Sequence, residues 1–537
     1  MAEIEKMIWI SIILIIIISV KDKLKLALPI LLVLAGLILS LTRLIPSIEM
    51  SPEMIFYVVL PPILFDAAWN TSIPDFKKEL PKISTLAVGL VFLTTTIIAL
   101  IVHSIIPEFS WPMAFVLGAV VSPPDAVAAT SITKNLPLPR KLTTILEGES
   151  LLNDASALIA YKCAVIAIVN GAFSFWNAGF QFIIVSMGGL AAGSVIGFVF
   201  LKLHKYFNGN SSAETFAVVL LPFATYSLAE HLGCSGVLAV VILGMFLSWN
   251  SFSLFSAGSR IQMGHFWDVI IFVLNGLIFL ILGMQLPKII SDIPSSAIPV
   301  LVLYGFFIGI ILVFIRLFVL AVFPIFSRTQ PEKEKNFLTR HKKEYIILSW
   351  SGMRGVVSLA AALALPFQDD KGFIIEQRST VLFITFVVII FTLFIQGLTL
   401  PKLIKLIKPA AEEEQNEKEL NKLLLEQSVL FLKDLKADHK MTQSIINTMT
   451  QKLEKEKEEL IQHGAQPYTD KTYWKKGYYE LELKLADHQR KELVRSYHKG
   501  DFSLEMIRKK EWELDFWTTT IDQEIEVLNS HISVTKE

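Results

Sequence analysis

The sequence predicts an all-α polytopic membrane protein with a helical cytosolic tail, and three observations predict it. Of 537 residues, 53% are hydrophobic and only 18% are charged, whereas a soluble chain runs nearer about a quarter charged. The shortage is uneven. Residues 1–408 hold 29 Lys+Arg and 23 Asp+Glu, and residues 409–537 hold 20 and 26, so a net charge of zero conceals a basic apolar part and an acidic polar part. Within the first part, runs long enough to cross about 30 Å of hydrocarbon recur, and the loops between them alternate in Lys/Arg content. Two cysteines, Cys163 and Cys234, supply neither a disulfide framework nor a zinc site. The acidic tail gives nucleic-acid binding no support.

The apolar runs fall at 7–20, 26–45, 54–69, 84–106, 111–133, 143–169, 180–201, 214–232, 235–249, 266–286, 297–326, 343–366 and 376–401, about thirteen in all. The first follows Glu3 and Glu5 and precedes Lys21, Lys23 and Lys25. That reverses the charge order of a signal peptide, so it reads as a retained span. Residues 214–249 read either as two short spans or as one re-entrant pair. With the amino terminus outside, one set of loops carries eighteen basic residues, from Lys21 to Lys343, and the other carries four, Arg43, Lys288, Lys371 and Arg378. The basic set is cytoplasmic by the positive-inside rule, and the tail falls on that side. An odd number of spans accommodates two inverted six-helix repeats around one extra segment, a plan common in secondary transporters.

Ionisable residues at membrane depth cost about 2.5–3.5 kcal/mol on insertion scales, so each asks for a partner or a function. The run 111–133 contains Ser122-Pro123-Pro124-Asp125. Two adjacent prolines remove two backbone donors, and a helix broken in the membrane must face protein or water. Asp125 stands beside the break, where freed carbonyls help to hold a cation; the plainer alternative is a kink with a capping Asp. The run 143–169 contains Glu147-Gly148-Glu149-Ser150-Leu151-Leu152-Asn153-Asp154. Asp154 lies roughly 16 Å from the cytoplasmic end. Ser150 and Asp154 share one face, and Glu149 and Asn153 share the adjacent one. A structural polar network is the alternative here, and Glu147, nearer the interface, reads as a snorkelling or capping residue. The run 343–366 contains Gly352-Met353-Arg354-Gly355, with Arg354 at a similar depth. Its expected partner is Glu149, which leaves Asp154 and Asp125 for work. Asp66, near the end of its run, caps it or lines an entrance, and Arg316 is close enough to the cytoplasmic side to snorkel.

These motifs have a family resemblance. Leu60-Pro61-Pro62, Ser122-Pro123-Pro124-Asp125, Glu149-Ser150-Leu151-Leu152-Asn153-Asp154 and Gly352-Met353-Arg354-Gly355 resemble the bacterial NhaP-type and animal sodium–proton exchanger branch of the monovalent cation:proton antiporters, over roughly residues 25–405. The resemblance implies a homodimer, each protomer having a dimerisation domain and a six-helix core with two crossed, unwound helices. It places that core around 84–169 and 297–401, inside a transmembrane domain of residues 1–408. It implies that Asp154 carries ion and proton, that Ser150 and Asp125 assist, and that Glu149 and Arg354 form the core salt bridge; Asn153 joins Asp154, Asp125 and Ser150 as an expected ion- and proton-binding residue. Relatives with Asn before the Asp are electroneutral, which Asn153 matches. Many relatives have Thr-Asp-Pro at the break, whereas here Pro124 precedes Asp125.

The expected function is therefore exchange of Na⁺, or Li⁺ or K⁺, for H⁺ across a plasma membrane, one for one, with no cofactor and no enzymatic chemistry. An intramembrane aspartyl protease using Asp125 and Asp154 is the enzymatic rival, but it leaves Arg354 and the proline break without a job. A cation channel is the other rival and would pass current. The tail, 409–537, has apolar residues at helical spacing and no phosphate-cradling glycine pattern. Trp474, Tyr478, Tyr479, Trp512, Phe516 and Trp517 are its expected core.

Overall fold

The computed structural model describes residues 9, 11–17, 19, 27–42, 51–106, 109–133, 138–170, 175–207, 210–255, 257–291, 293–326, 337–366 and 377–407, with scattered positions between 450 and 525. The chain divides into two compact units, Met1–Ala411 and Glu412–Glu537.

In the first unit, helical residues 11–17 precede α1 (Leu28–Thr42). A π-helical turn, Met54–Val59, leads into α2 (Leu60–Asn70). Pro61 and Pro62 offer no N–H to the carbonyls one turn earlier, so the backbone widens there instead of keeping the α ladder. α3 (Ile73–Ser84) and α4 (Val91–Ile105) run together through a second π turn, Thr85–Leu90, that follows Pro81. This helix begins well before the apolar run at 84, because α3 is amphipathic: Phe76, Glu79 and Ile83 are buried while Lys77 and Lys78 are exposed. α5 (Trp111–Val121) stops at the double proline, and α6 (Ala126–Thr133) resumes beyond it. Next come α7 (Arg140–Asn170), α8 (Phe175–Leu203), α9 (Ser211–His231) and α10 (Gly236–Leu254). The stretch 214–249 thus forms two separate helices, turned at Gly233 with φ +71° and restarted by Ser235, whose hydroxyl accepts from the Leu238 N–H. α11 (Ala257–Ser291) and α12 (Ile298–Phe326) are long, α13 (Phe337–Trp350) and α14 (Val356–Leu363) are separated by a second break, and α15 (Arg378–Phe391) passes through a π turn, Thr392–Gln396, into α16 (Gly397–Ile407).

Each of the thirteen apolar runs contains helix among its described residues, and the runs 111–133 and 343–366 are each interrupted by a non-helical break. Seven helices among the described residues are individually long and apolar enough to cross a bilayer, while α1, α2, α5 and α10 are shorter. α5 is buried almost all round, from Met113 to Val121, whereas α8 exposes Phe180, Ile183, Met187 and Val195. Such an apolar outer face belongs against lipid or another chain. α1 and α11 pack backbone to backbone: a Cβ at Gly36 would land on the Leu280 carbonyl, and one at Gly283 on the Val33 carbonyl. The Ser40 hydroxyl also donates to the Met284 carbonyl at 2.9 Å.

In the second unit the described residues are helical, with Ala486, Thr518 and Ile521 buried. Phe516 is 72% exposed, which corrects its expected place in the core. The buried face follows Leu514, Thr518 and Ile521 at helical spacing, and Phe516 lies off it. Trp474, Tyr478 and Trp512 lie outside the described residues.

Candidate functional site

The site is built on the two interrupted helices. Beyond α5, Pro123 and Pro124 bring no donors, so the last carbonyls of the helix need other partners. The Ser122 hydroxyl serves Ala119 O at 3.0 Å. The Arg354 guanidinium serves two more, donating from Nε to Val121 O at 3.0 Å and from Nη2 to Ser122 O at 3.4 Å, and it also donates to Gly352 O on its own strand of backbone. The Asp125 N–H, which would have bonded within the helix, donates instead to Met353 O in the other break at 2.6 Å. The Arg354 N–H in turn donates to Thr392 Oγ1 at 3.0 Å, beside the π turn after α15. The two breaks therefore cross and complete one another's hydrogen bonding. Gly355 makes the crossing tight, because a Cβ there would sit inside the Asp125 carboxylate.

α7 presents two polar faces to this crossing. On one, the Asn153 Nδ2 donates to Pro124 O at 2.8 Å, anchoring α7 to the first break. Glu149, one turn earlier, is bound by Arg316 of α12 in a two-pronged pair, Nη1 to Oε1 at 2.5 Å and Nη2 to Oε2 at 2.6 Å. Arg316 also donates from Nε to Leu348 O at 2.9 Å, joining α13. The expected Glu149–Arg354 pair is corrected. Depth alone matched those two residues, but the carbonyls released by the proline break take up the donors of Arg354. Arg316 is 1% exposed and does not snorkel: its long stem reaches inward, where a planar guanidinium fits a carboxylate fork.

The other face of α7, carrying Glu147, Ser150 and Asp154, opens on a cavity of about 240 Å³. Asp125 and Thr130 line it from the first break and α6, Asp66 and Asn70 from α2, and Asn275 from α11. Asp154 is only 7% exposed, at the buried end of the polar face. The Asn70 Nδ2 donates to Asp66 Oδ1 at 3.0 Å, and both residues line the cavity. The cavity thus brings together Asp154, Ser150, Asp125 and Asp66, while Asn153, Glu149, Arg316 and Arg354 form the scaffold behind it. Sequence reasoning passed over Asn275 and Thr392 and set Glu147 aside. Asn275 had a readable signal, a polar side chain in the apolar stretch Ile270–Leu282; Thr392 had none.

The carboxylate, hydroxyl and amide oxygens around this cavity are hard donors, which suit a hard monovalent or divalent cation. Residues 10–406 match the family described as sodium/hydrogen exchanger, transmembrane. The sodium, potassium, lithium and rubidium/H⁺ antiporter of Bacillus pumilus (strain SAFR-032) is 32% identical over 367 residues, covering 66% of this chain and 54% of that protein. The chain therefore spans about half the length of that relative. The uncharacterized Na⁺/H⁺ exchanger YjcE of Escherichia coli (strain K12) is 32% identical over 406 residues, covering 73% and 74%. The Na⁺/H⁺ antiporter ApNhaP of Aphanothece halophytica is 31% identical over 378 residues, covering 70% and 68%. In fold, the sodium proton antiporter MjNhaP1 from Methanocaldococcus jannaschii at pH 8 is similar with a TM-score of 0.58 at 20% identity, covering 76% of this chain and 100% of that one.

Proposed function

The chain belongs to the transmembrane sodium/hydrogen exchanger family, and from that premise we propose that it exchanges Na⁺, or a related monovalent cation, for H⁺ at Asp154. The observation that carries this reading is a charge count. Arg316 and Arg354 stand at the crossing against Glu149, Asp125 and Asp154, and Asp66 and Glu147 line the same cavity, so carboxylates outnumber guanidiniums. One proton or one Na⁺ lowers that excess by one unit. The empty site carries the larger charge and crosses a low-dielectric barrier poorly, and either cargo relieves it equally. Competition of the two cations for the same oxygens is then sufficient for exchange.

Asp154 takes the proton or the metal ion in turn. Ser150 and Asp125 supply further oxygens, with Asp66 lining the approach from α2. Glu149 with Arg316, and Arg354 on the broken helix ends, fix the frame. One-for-one exchange removes membrane voltage from the driving force, so a difference of one pH unit, about 1.4 kcal/mol, sustains roughly a tenfold sodium ratio. The two breaks are the corresponding elements of two inverted six-helix repeats within thirteen spans. The chain works as a homodimer in the plasma membrane, with the amino terminus outside and the tail in the cytoplasm. The basic loops and the exposed apolar face of α8 support that arrangement.

The test is a pH-dye assay in proteoliposomes with NaCl, LiCl and KCl in turn, with and without a valinomycin clamp. Exchange insensitive to the clamp is expected, and Asp154→Asn abolishes it while the protein stays folded. Near-normal exchange by that variant overturns the assignment, and a cation current through the wild type makes the protein a channel.

A further inference from the structure

Of the polar side chains on the cavity wall that the exchange cycle described so far does not use, Asn275 is the one contributed by α11. From Ile270 to Leu282, α11 is apolar apart from Asn275 and the adjoining Gly276. Ile271, Asn275, Ile278 and Phe279 all line the cavity, and their spacing of four, three and one residues is a single helical face. Asn275 thus shares the cavity wall with Asp154, Asp125 and Ser150. Among the described residues no hydrogen bond engages its amide. A half-buried amide on a cavity wall with no protein partner is open to another polar occupant, water or ion. Asn275 also stands on a fixed wall, because α11 is locked to α1 through Gly36 and Gly283.

We propose that Asn275 is a cation-specific ligand: its side-chain oxygen completes the coordination of the monovalent cation held by Asp154, Ser150 and Asp125. The inference rests on the exchange reading and adds a selectivity element to it. A carboxylate serves both cargoes, because it binds a metal ion and accepts a proton. An amide oxygen coordinates a hard cation but takes no proton across the working pH range. Asn275 therefore favours the metal-loaded state over the protonated one, and sets the affinity for the cation while leaving the affinity for the proton alone.

The experiment uses the full-length chain in proteoliposomes, comparing wild type, Asn275→Ala, the near-isosteric Asn275→Leu, and Asp154→Asn as the inactive reference. Both Asn275 variants are expected to raise the apparent KM for Na⁺ by about fivefold or more, with maximal rate within about twofold and an unmoved pH profile at saturating Na⁺. A second readout needs no transport: the Na⁺ concentration that raises Tm in detergent should shift upward by the same factor. Two folded variants with an unchanged KM and an unchanged Na⁺ dependence of Tm overturn the proposal. So does a KM rise accompanied by an equal shift in the pH profile, which makes Asn275 a structural residue. If the wild type exchanges nothing, the exchange reading fails by itself, and the Tm titration still decides whether Asn275 binds Na⁺.

Discussion

Glu149 and Arg316 offer the sharpest check on how the core is held together. Both are nearly unexposed, 1% each, and are joined by two bonds of 2.5 and 2.6 Å. Glu149→Gln leaves the guanidinium without its counter-charge, and Arg316→Met leaves the carboxylate without its own and also frees Leu348 O. Removing one partner of such a pair costs about 3–5 kcal/mol, whereas replacing both is often nearly neutral. The double variant should thus be no less stable than either single one, a coupling of about 3 kcal/mol. A parallel cycle with Arg354→Met has a different expectation. That change orphans the Val121, Ser122 and Gly352 carbonyls at about 1–3 kcal/mol each, and its cost should add to that of Glu149→Gln to within about 1 kcal/mol. Thermal unfolding of the purified protein, followed by tryptophan fluorescence, measures both cycles. If the Glu149/Arg354 double variant recovers stability and the Glu149/Arg316 one does not, the pairing seen here is wrong.

Further tests address the cavity, the crossing and the tail. Gly355→Ala puts a methyl into the Asp125 carboxylate, so it should abolish exchange and lower Tm, which vesicle assays and fluorescence would show. Glu147 lies two turns from Asp154, about 10 Å along α7, where a unit charge is worth about 0.4 kcal/mol at a dielectric constant of 80 and about 1.7 at 20. Glu147→Gln should accordingly raise the KM for Na⁺ by about two- to fifteenfold at low salt and by less at high ionic strength; a complete loss of exchange would give Glu147 a larger role than attraction. Thr392→Val removes the acceptor of the Arg354 N–H and should cost about 1–3 kcal/mol in thermal stability. Deleting residues 412–537 removes none of the cavity residues, so exchange in proteoliposomes should persist, and any change in its pH profile is the contribution of the tail.

What could be read from the sequence was whatever local geometry decides. Helical spacing puts Ser150 with Asp154 and Glu149 with Asn153 whatever surrounds them, and two adjacent prolines interrupt a helix in any context. The partner of Glu149 was not legible in this way. It depends on which side chain wins a three-dimensional competition, and the losing candidate, Arg354, was occupied by carbonyls whose need for donors appears only when two breaks are placed across each other. Asn275 went unnoticed for a related reason. A single amide in an apolar run is visible as an interruption, but its meaning depends on what α11 faces. The forward extension of α4 into α3 was hidden by Lys77, Lys78 and Pro81, which look like a loop until the buried Phe76 and Ile83 show one apolar face. In the tail, aromatic content alone suggested a core position for Phe516, and the helical phase set by Thr518 and Ile521 excludes it.

The crossing of the two breaks has a mechanical consequence. Its joints run from an arginine and an asparagine side chain to main-chain oxygens, and from one main-chain amide to another main-chain oxygen. None of these groups changes protonation when cargo is swapped. The hub can therefore shuttle as a solid knot through every turnover, with the loaded or vacant status of Asp154 felt only as a change of net charge and never as a loosened seam.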